Sequence, residues 1–128
     1  MKKTRLRLSD EEERVRQVLI GCAQEGRTLT CTRLVQLARL TLDMAMPNDR
    51  AALGTILGDI VEYEHGEGRP MLSSVVAAGS SSPQSGFFSL AEELGIATFR
   101  NSNDRLDFSI REFERTVSYW KQLKHDIQ

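Results

Sequence analysis

In the stretch Asp49–Glu64, Leu53, Ile56, Leu57, Ile60 and Val61 recur at i, i+3, i+4, i+7 and i+8. That spacing lays one continuous apolar stripe along an α-helix. A helix with such a stripe must be covered by other elements, so the rest of the chain has to supply the cover. Gly54 and Gly58 stand four apart in the same helix. Each costs about 1 kcal/mol against alanine in a helix interior, so a close approach by another backbone is the expected reason for them. Asn48 or Asp49 is the expected cap of this helix.

Two further helices precede it. "SDEEERVRQVLIGCAQEG" opens with a capping box, Ser9 with Glu12, has four acids in its first turn and ends at Gly26,. "TLTCTRLVQLARLTLDM" reads as a second helix, capped by Thr30 or Thr32, with Leu34, Val35, Leu37, Ala38 and Leu42 on one broad face,. After "HGEGRP", the alternation of Met71, Ser73, Val75 and Ala77 with Leu72, Ser74, Val76 and Ala78 predicts a strand,. "GSSSPQSG" then reads as a loop and Gly86-Phe87-Phe88 as the return. Ser89 and Glu92 form a capping box for a short helix ending at Gly95. Residues 96–107 are turn-like in the middle. Ser109 and Glu112 cap a long last helix, with Phe108 and Phe113 as a staple and a seam of Ile110, Phe113, Val117 and Trp120,.

The expected fold class is therefore α+β and mostly helical. It is a winged-helix-like three-helix core with a β-hairpin near 70–88, within one domain whose 9–88 core carries an 89–128 helical extension. In that architecture helix 3 enters a DNA groove and the hairpin rests on phosphate.

The 128 residues hold 17 basic and 18 acidic side chains, so a wholly basic nucleic-acid coat protein is excluded. The charge is uneven: residues 1–58 carry the basic excess, and Asp59, Glu62, Glu64 and Glu67 form an acidic cluster. Two cysteines are too few for a disulfide scaffold. With no apolar run after "MKKTRLRLSDEEE" and none of 18 residues anywhere, a cytoplasmic protein with two reduced thiols is expected, with no membrane partner. Neither Gly-x-Ser-x-Gly nor a phosphate-loop glycine pattern occurs. His65, His125 and the cysteines lack ligand spacing. A non-catalytic protein without metal or cofactor is the expectation.

Two resemblances bear on this. Leu29–Phe88 resembles, in the order of its features, the DNA-binding half of the alkyltransferase-like and DNA-alkyltransferase families, through "TRLVQLA", "MPNDRAALGTIL", "RPMLSSVV" and "SGFF". Pro70, Met71, Leu72 and Ser73 stand where those families carry Pro-Cys-His-Arg, so the resemblance implies DNA engagement without alkyl transfer. The chain also resembles small bacterial and mobile-element proteins of unassigned function with a GRPxLSxxVV…GFFxLA motif, here Tyr63, Glu64, Gly68, Arg69, Pro70, Ser73, Val75, Val76, Gly86, Phe87, Phe88, Leu90 and Ala91.

The functional expectation is a non-catalytic nucleic-acid-binding or regulatory module. Its phosphate contacts would be Lys2, Lys3, Arg5, Arg7, Arg33, Arg39, Arg50 and Thr55. The alternative is a protein-interaction module, an accessory or inhibitor protein of a mobile-element or phage-defence system. It would meet a basic protein through Asp59, Glu62, Glu64, Glu67 and Arg69, and a partner or second copy through the last helix. Arg69 has a second expected role as a lock of the turn before residue 70, pairing with Glu62, Glu64 or Glu67. Phe87 and Phe88 are expected to close the core.

Overall fold

The computed structural model describes residues 8–77 and 84–127. Among these, the elements are α1 (Asp10–Glu25), α2 (Cys31–Leu37), α3 (Pro47–Gly66), a 3-10 helix (Leu72–Val75), α4 (Gln84–Glu93) and α5 (Ser102–Ile127). No described residue lies in a strand. Among the described residues the single extended pairing is a parallel bridge between Leu29 and Val76, in which the Leu29 amide donates to Val75 O and the Ala77 amide to Leu29 O. The fold is all-α, and the expected α+β class with its hairpin is corrected.

The reason lies in which residues of the Pro70 segment are apolar. Alternation was readable because both parities carry apolar side chains. The buried set, however, is Met71, Leu72 and Val75, with Ser73 and Ser74 only half-covered. A spacing of i, i+1, i+4 belongs to a helical turn, not to a pleat. The expected return strand is α4. Phe87, Leu90, Ala91 and Leu94 follow a three-and-four spacing, and the other three pack around buried Ala91. The expected loop and hairpin tip at residues 78–83 lie outside the described residues.

Helix ends follow local chemistry. Ser9 and Glu12 form the reciprocal capping box of α1, and Gly26 takes the left-handed conformation at its end. α2 stops at Leu37, earlier than expected. The Leu40 amide donates to Val35 O and the Arg39 amide to Gln36 O, a Schellman ending with Arg39 at φ 59° in the position glycine usually fills,. Left-handed backbone costs a non-glycine residue about 1 kcal/mol or more. Arg39→Gly should therefore raise stability by about 0.5–1 kcal/mol, read as a melting temperature higher by roughly 2–4 °C.

α3 starts with Pro47 in its first turn and no side-chain cap. The expected cap Asp49 instead accepts from the Asp43 amide at 2.8 Å and so ties the preceding loop. α5 begins at Ser102, where Asn101 Oδ1 accepts from the Asp104 amide. Ser109 and Glu112, expected to cap it, lie inside it.

The main core surrounds α1, which packs against α5, the 3-10 helix, α2 and α3. Val15, Leu19, Cys22 and Ala23 of α1 meet Leu34, Leu53, Ile60, Leu72, Val75 and Trp120 there. All five residues of the α3 stripe are buried. A second, smaller core joins α3, α4 and the start of α5. In it Phe87 lies 5.8 Å from Phe108, Phe88 lies 5.2 Å from Phe99, and Phe99 lies 5.3 Å from Phe108, centroid to centroid. Phe87 and Phe88 thus do close a core, from a helix.

Candidate functional site: an apolar cleft beside α3

The glycine-rich face of α3 is not sealed by its neighbours. Ala51, Gly54, Thr55, Leu57, Gly58 and Val61 form one wall of a cleft of about 300 Å3. The 3-10 segment (Ser73, Ser74, Val76) supplies a second wall, α4 (Gly86, Phe87, Leu90) a third, and Ser109 of α5 completes it. A Cβ at Gly58 would sit 3.8 Å from the Leu90 side chain, an ordinary contact, so an alanine there would fit without displacing α4. No ionisable side chain is among these lining residues.

The hydroxyls of Thr55, Ser74 and Ser109 in the lining are already engaged. Thr55 Oγ1 donates to Ala51 O at 3.2 Å and Ser109 Oγ to Leu106 O at 2.8 Å. Ser74 Oγ donates to Thr116 Oγ1 at 2.9 Å, which itself donates to Glu112 O at 2.7 Å. A hydroxyl has one proton and two lone pairs. With the proton given to the protein, each of these groups offers a visitor only an acceptor.

The 3-10 wall is fastened to α5 by buried polar groups. Glu112 is nearly inaccessible and accepts from the Met71 amide at 2.8 Å. It is also gripped by Arg115 through both Nε and Nη2. Thr116, fully buried, stands 3.2 Å from Met71 O. These contacts span more than 40 residues of sequence.

A second polar node lies at the end of α3. Glu64 is fully buried between two guanidiniums: Arg16 Nε at 2.9 Å on one oxygen and Arg69 Nε at 2.6 Å on the other. Both arginines lie over the Tyr63 ring, at 5.4 and 5.5 Å from its centroid, and Arg16 also faces Trp120. Burial works to lower the Arg69 pKa, but the Glu64 hydrogen bond and charge, with Tyr119 and Tyr63 nearby, outweigh it and hold the group above its ordinary value. The turn lock expected for Arg69 is present. The expected partner surface is corrected at Glu64, because a side chain with no exposure cannot meet a partner. Asp59 and Glu62 are half-covered on the same helix and Glu67 is exposed at its end.

The expected phosphate contacts fall in separate places. Arg50 Nη1 donates to Met44 O and ties the α2–α3 loop. Thr55 lines the cleft. Arg39 borders a groove that also holds Asp10 and Glu13, and Arg33 is exposed beside Gln36. Lys2, Lys3, Arg5 and Arg7 lie outside the described residues. Cys22 and Cys31 are both free and buried. Burial pushes both thiols up, with Arg27 partly opposing this at Cys22 and Glu25 adding to it. Among the described residues no group of three or more His, Cys, Asp or Glu is placed to hold a metal ion. No helix among them is long and apolar enough to cross a membrane.

The cleft and Arg16 were not singled out in the sequence. Gly54 and Gly58 were the signal for the first. Nothing local signals the second, since Arg16 and Glu64 are 48 residues apart. No protein-family model, curated protein or solved structure matches the chain.

Proposed function

We infer that the protein is a non-catalytic regulatory module whose working site is the cleft between α3, α4 and the 3-10 helix. The observation that carries this is the lining: about 300 Å3 of apolar space bounded by four elements, with hydroxyls and no ionisable group among the described lining residues. Pockets of this size and composition take small ligands, and a wall without titratable side chains favours holding a molecule over acid–base chemistry on it. The role is the regulatory one expected from sequence, with its site moved from exposed arginines to the cleft.

The neutral dye N-phenyl-1-naphthylamine tests this reading. Its emission should rise on mixing with the wild-type protein and fall back with Gly58→Leu, whose side chain must enter the cleft because Leu90 already stands 3.8 Å from the position of its Cβ. Ala51→Leu, at an exposed position on the rim, should have the same effect without risk to the core. Gly58→Ala serves as the control. Equal enhancement by all four proteins, or none by the wild type, would end the reading.

A second reading, contact with another protein through α5, is supported by Leu106 and Ile110. They stand one turn apart and are 61% and 50% exposed, although Ile110 was expected in the buried seam. If two copies meet there, Leu106→Glu with Ile110→Glu should convert a sedimenting dimer into a monomer. A wild type that is already monomeric at about 100 μM, well above the Kd of a stable pair, removes the homodimer.

A further inference from the structure

We propose that the cleft takes a neutral, ring-sized molecule that carries one hydrogen-bond donor on an otherwise apolar body, the class of phenols and indoles. This rests on the cleft being the working site and adds what the site selects.

Three observations define the class. The volume of about 300 Å3 holds one or two fused rings, whereas a helix is roughly 10–12 Å across and needs far more room. The described lining residues include no ionisable side chain, so a charged ligand would lose its hydration with none of them to replace it. Three of the four described lining hydroxyls act as acceptors, because the protons of Thr55, Ser74 and Ser109 are given to Ala51 O, Thr116 Oγ1 and Leu106 O. A ligand N–H or O–H can be met by these lone pairs, while a ligand carrying only an acceptor is left with Ser73 alone among the described lining hydroxyls. Phe87, whose ring also packs against Phe88 and Phe108, offers an aromatic wall for a flat body.

The test uses indole, 1-methylindole and indole-3-acetate against the full chain. Binding is followed by the amide resonances of Gly54 and Gly58, with Gly26 as a distant reference. Indole is expected to shift both glycines with a Kd on the order of 10⁻⁴ M, reasonable for a ligand of its size. 1-Methylindole, which lacks the donor, should bind about fivefold or more weakly, and the anionic acetate should not register. Thr55→Val with Ser109→Ala removes two acceptors at nearly constant shape. It should bring the indole to 1-methylindole ratio close to one, which separates hydrogen bonding from the bulk of the added methyl.

Equal affinities for indole and 1-methylindole in the wild type, or a ratio unchanged by the double substitution, would overturn the donor assignment and leave the cleft as a site. Binding of the acetate as tight as indole would overturn the neutrality. Shifts absent for all three probes, together with no dye enhancement, would fail the cleft itself.

Discussion

Glu64→Gln is expected to destabilise the protein by about 3–5 kcal/mol, the usual cost of leaving a buried charge without its partner. The carboxylate is fully buried and the two arginine side chains that share it are only 15% and 17% exposed; Arg16 keeps a second carboxylate, Glu13, at 3.2 Å, so Arg69 is the charge left without its counter-charge. For a domain whose net stability is about 5–15 kcal/mol, this is a large share. With a urea m-value of roughly 2 kcal/mol per M, the unfolding midpoint should fall by about 2 M. The companion variant is the full replacement Arg16→Met, Glu64→Leu, Arg69→Met. Removing all three charges discards their desolvation cost along with their attraction, so it should lose clearly less than Glu64→Gln alone. A triple variant as unstable as the single one would show that stacking on Tyr63 and Trp120, and not charge, holds the node.

Glu112→Ala should cost about 2–4 kcal/mol. It orphans the buried Met71 amide, a penalty of about 1–3 kcal/mol, and forfeits a charge-assisted hydrogen bond. Glu112→Gln keeps an acceptor within reach and should recover much of the loss. The two variants also test a coupling. The Met71 contact anchors the segment from which Ser73, Ser74 and Val76 line the cleft, so Glu112→Ala should weaken dye binding more than its stability loss alone predicts. Undiminished dye binding by the folded fraction would mean that Thr116 and the Leu29–Val76 bridge suffice to hold that wall.

What the sequence disclosed was what neighbouring residues decide. The Ser9–Glu12 box, the Gly26 ending and the whole α3 stripe depend on residues within two turns, and all stand as expected. The Pro70 segment misled because an apolar run of mixed parity fits two periods, and only burial by α1, α3 and α5 selects 71, 72 and 75. Thr116 and Glu112 were invisible as core positions, since polar side chains break an apolar seam. Their partners, Met71 and Ser74, lie some 40 residues away. Ile110 was placed in the seam by spacing and stands outside it. For the site, Gly54 and Gly58 announced close packing. What they provide is unfilled space, a distinction that depends on how far α4 stands from α3.

The pairing of α1 with α5 sets the order in which this chain can become complete during synthesis. α1 is made well before α5, whose Trp120 shares its core. At about 5–20 residues per second, Val15 and Leu19 wait several seconds or more for their cover to leave the ribosome. Most of the helical stability of α1 comes from packing its apolar face rather than from propensity alone. The α1 core is therefore complete only once α5 has emerged and docked against it.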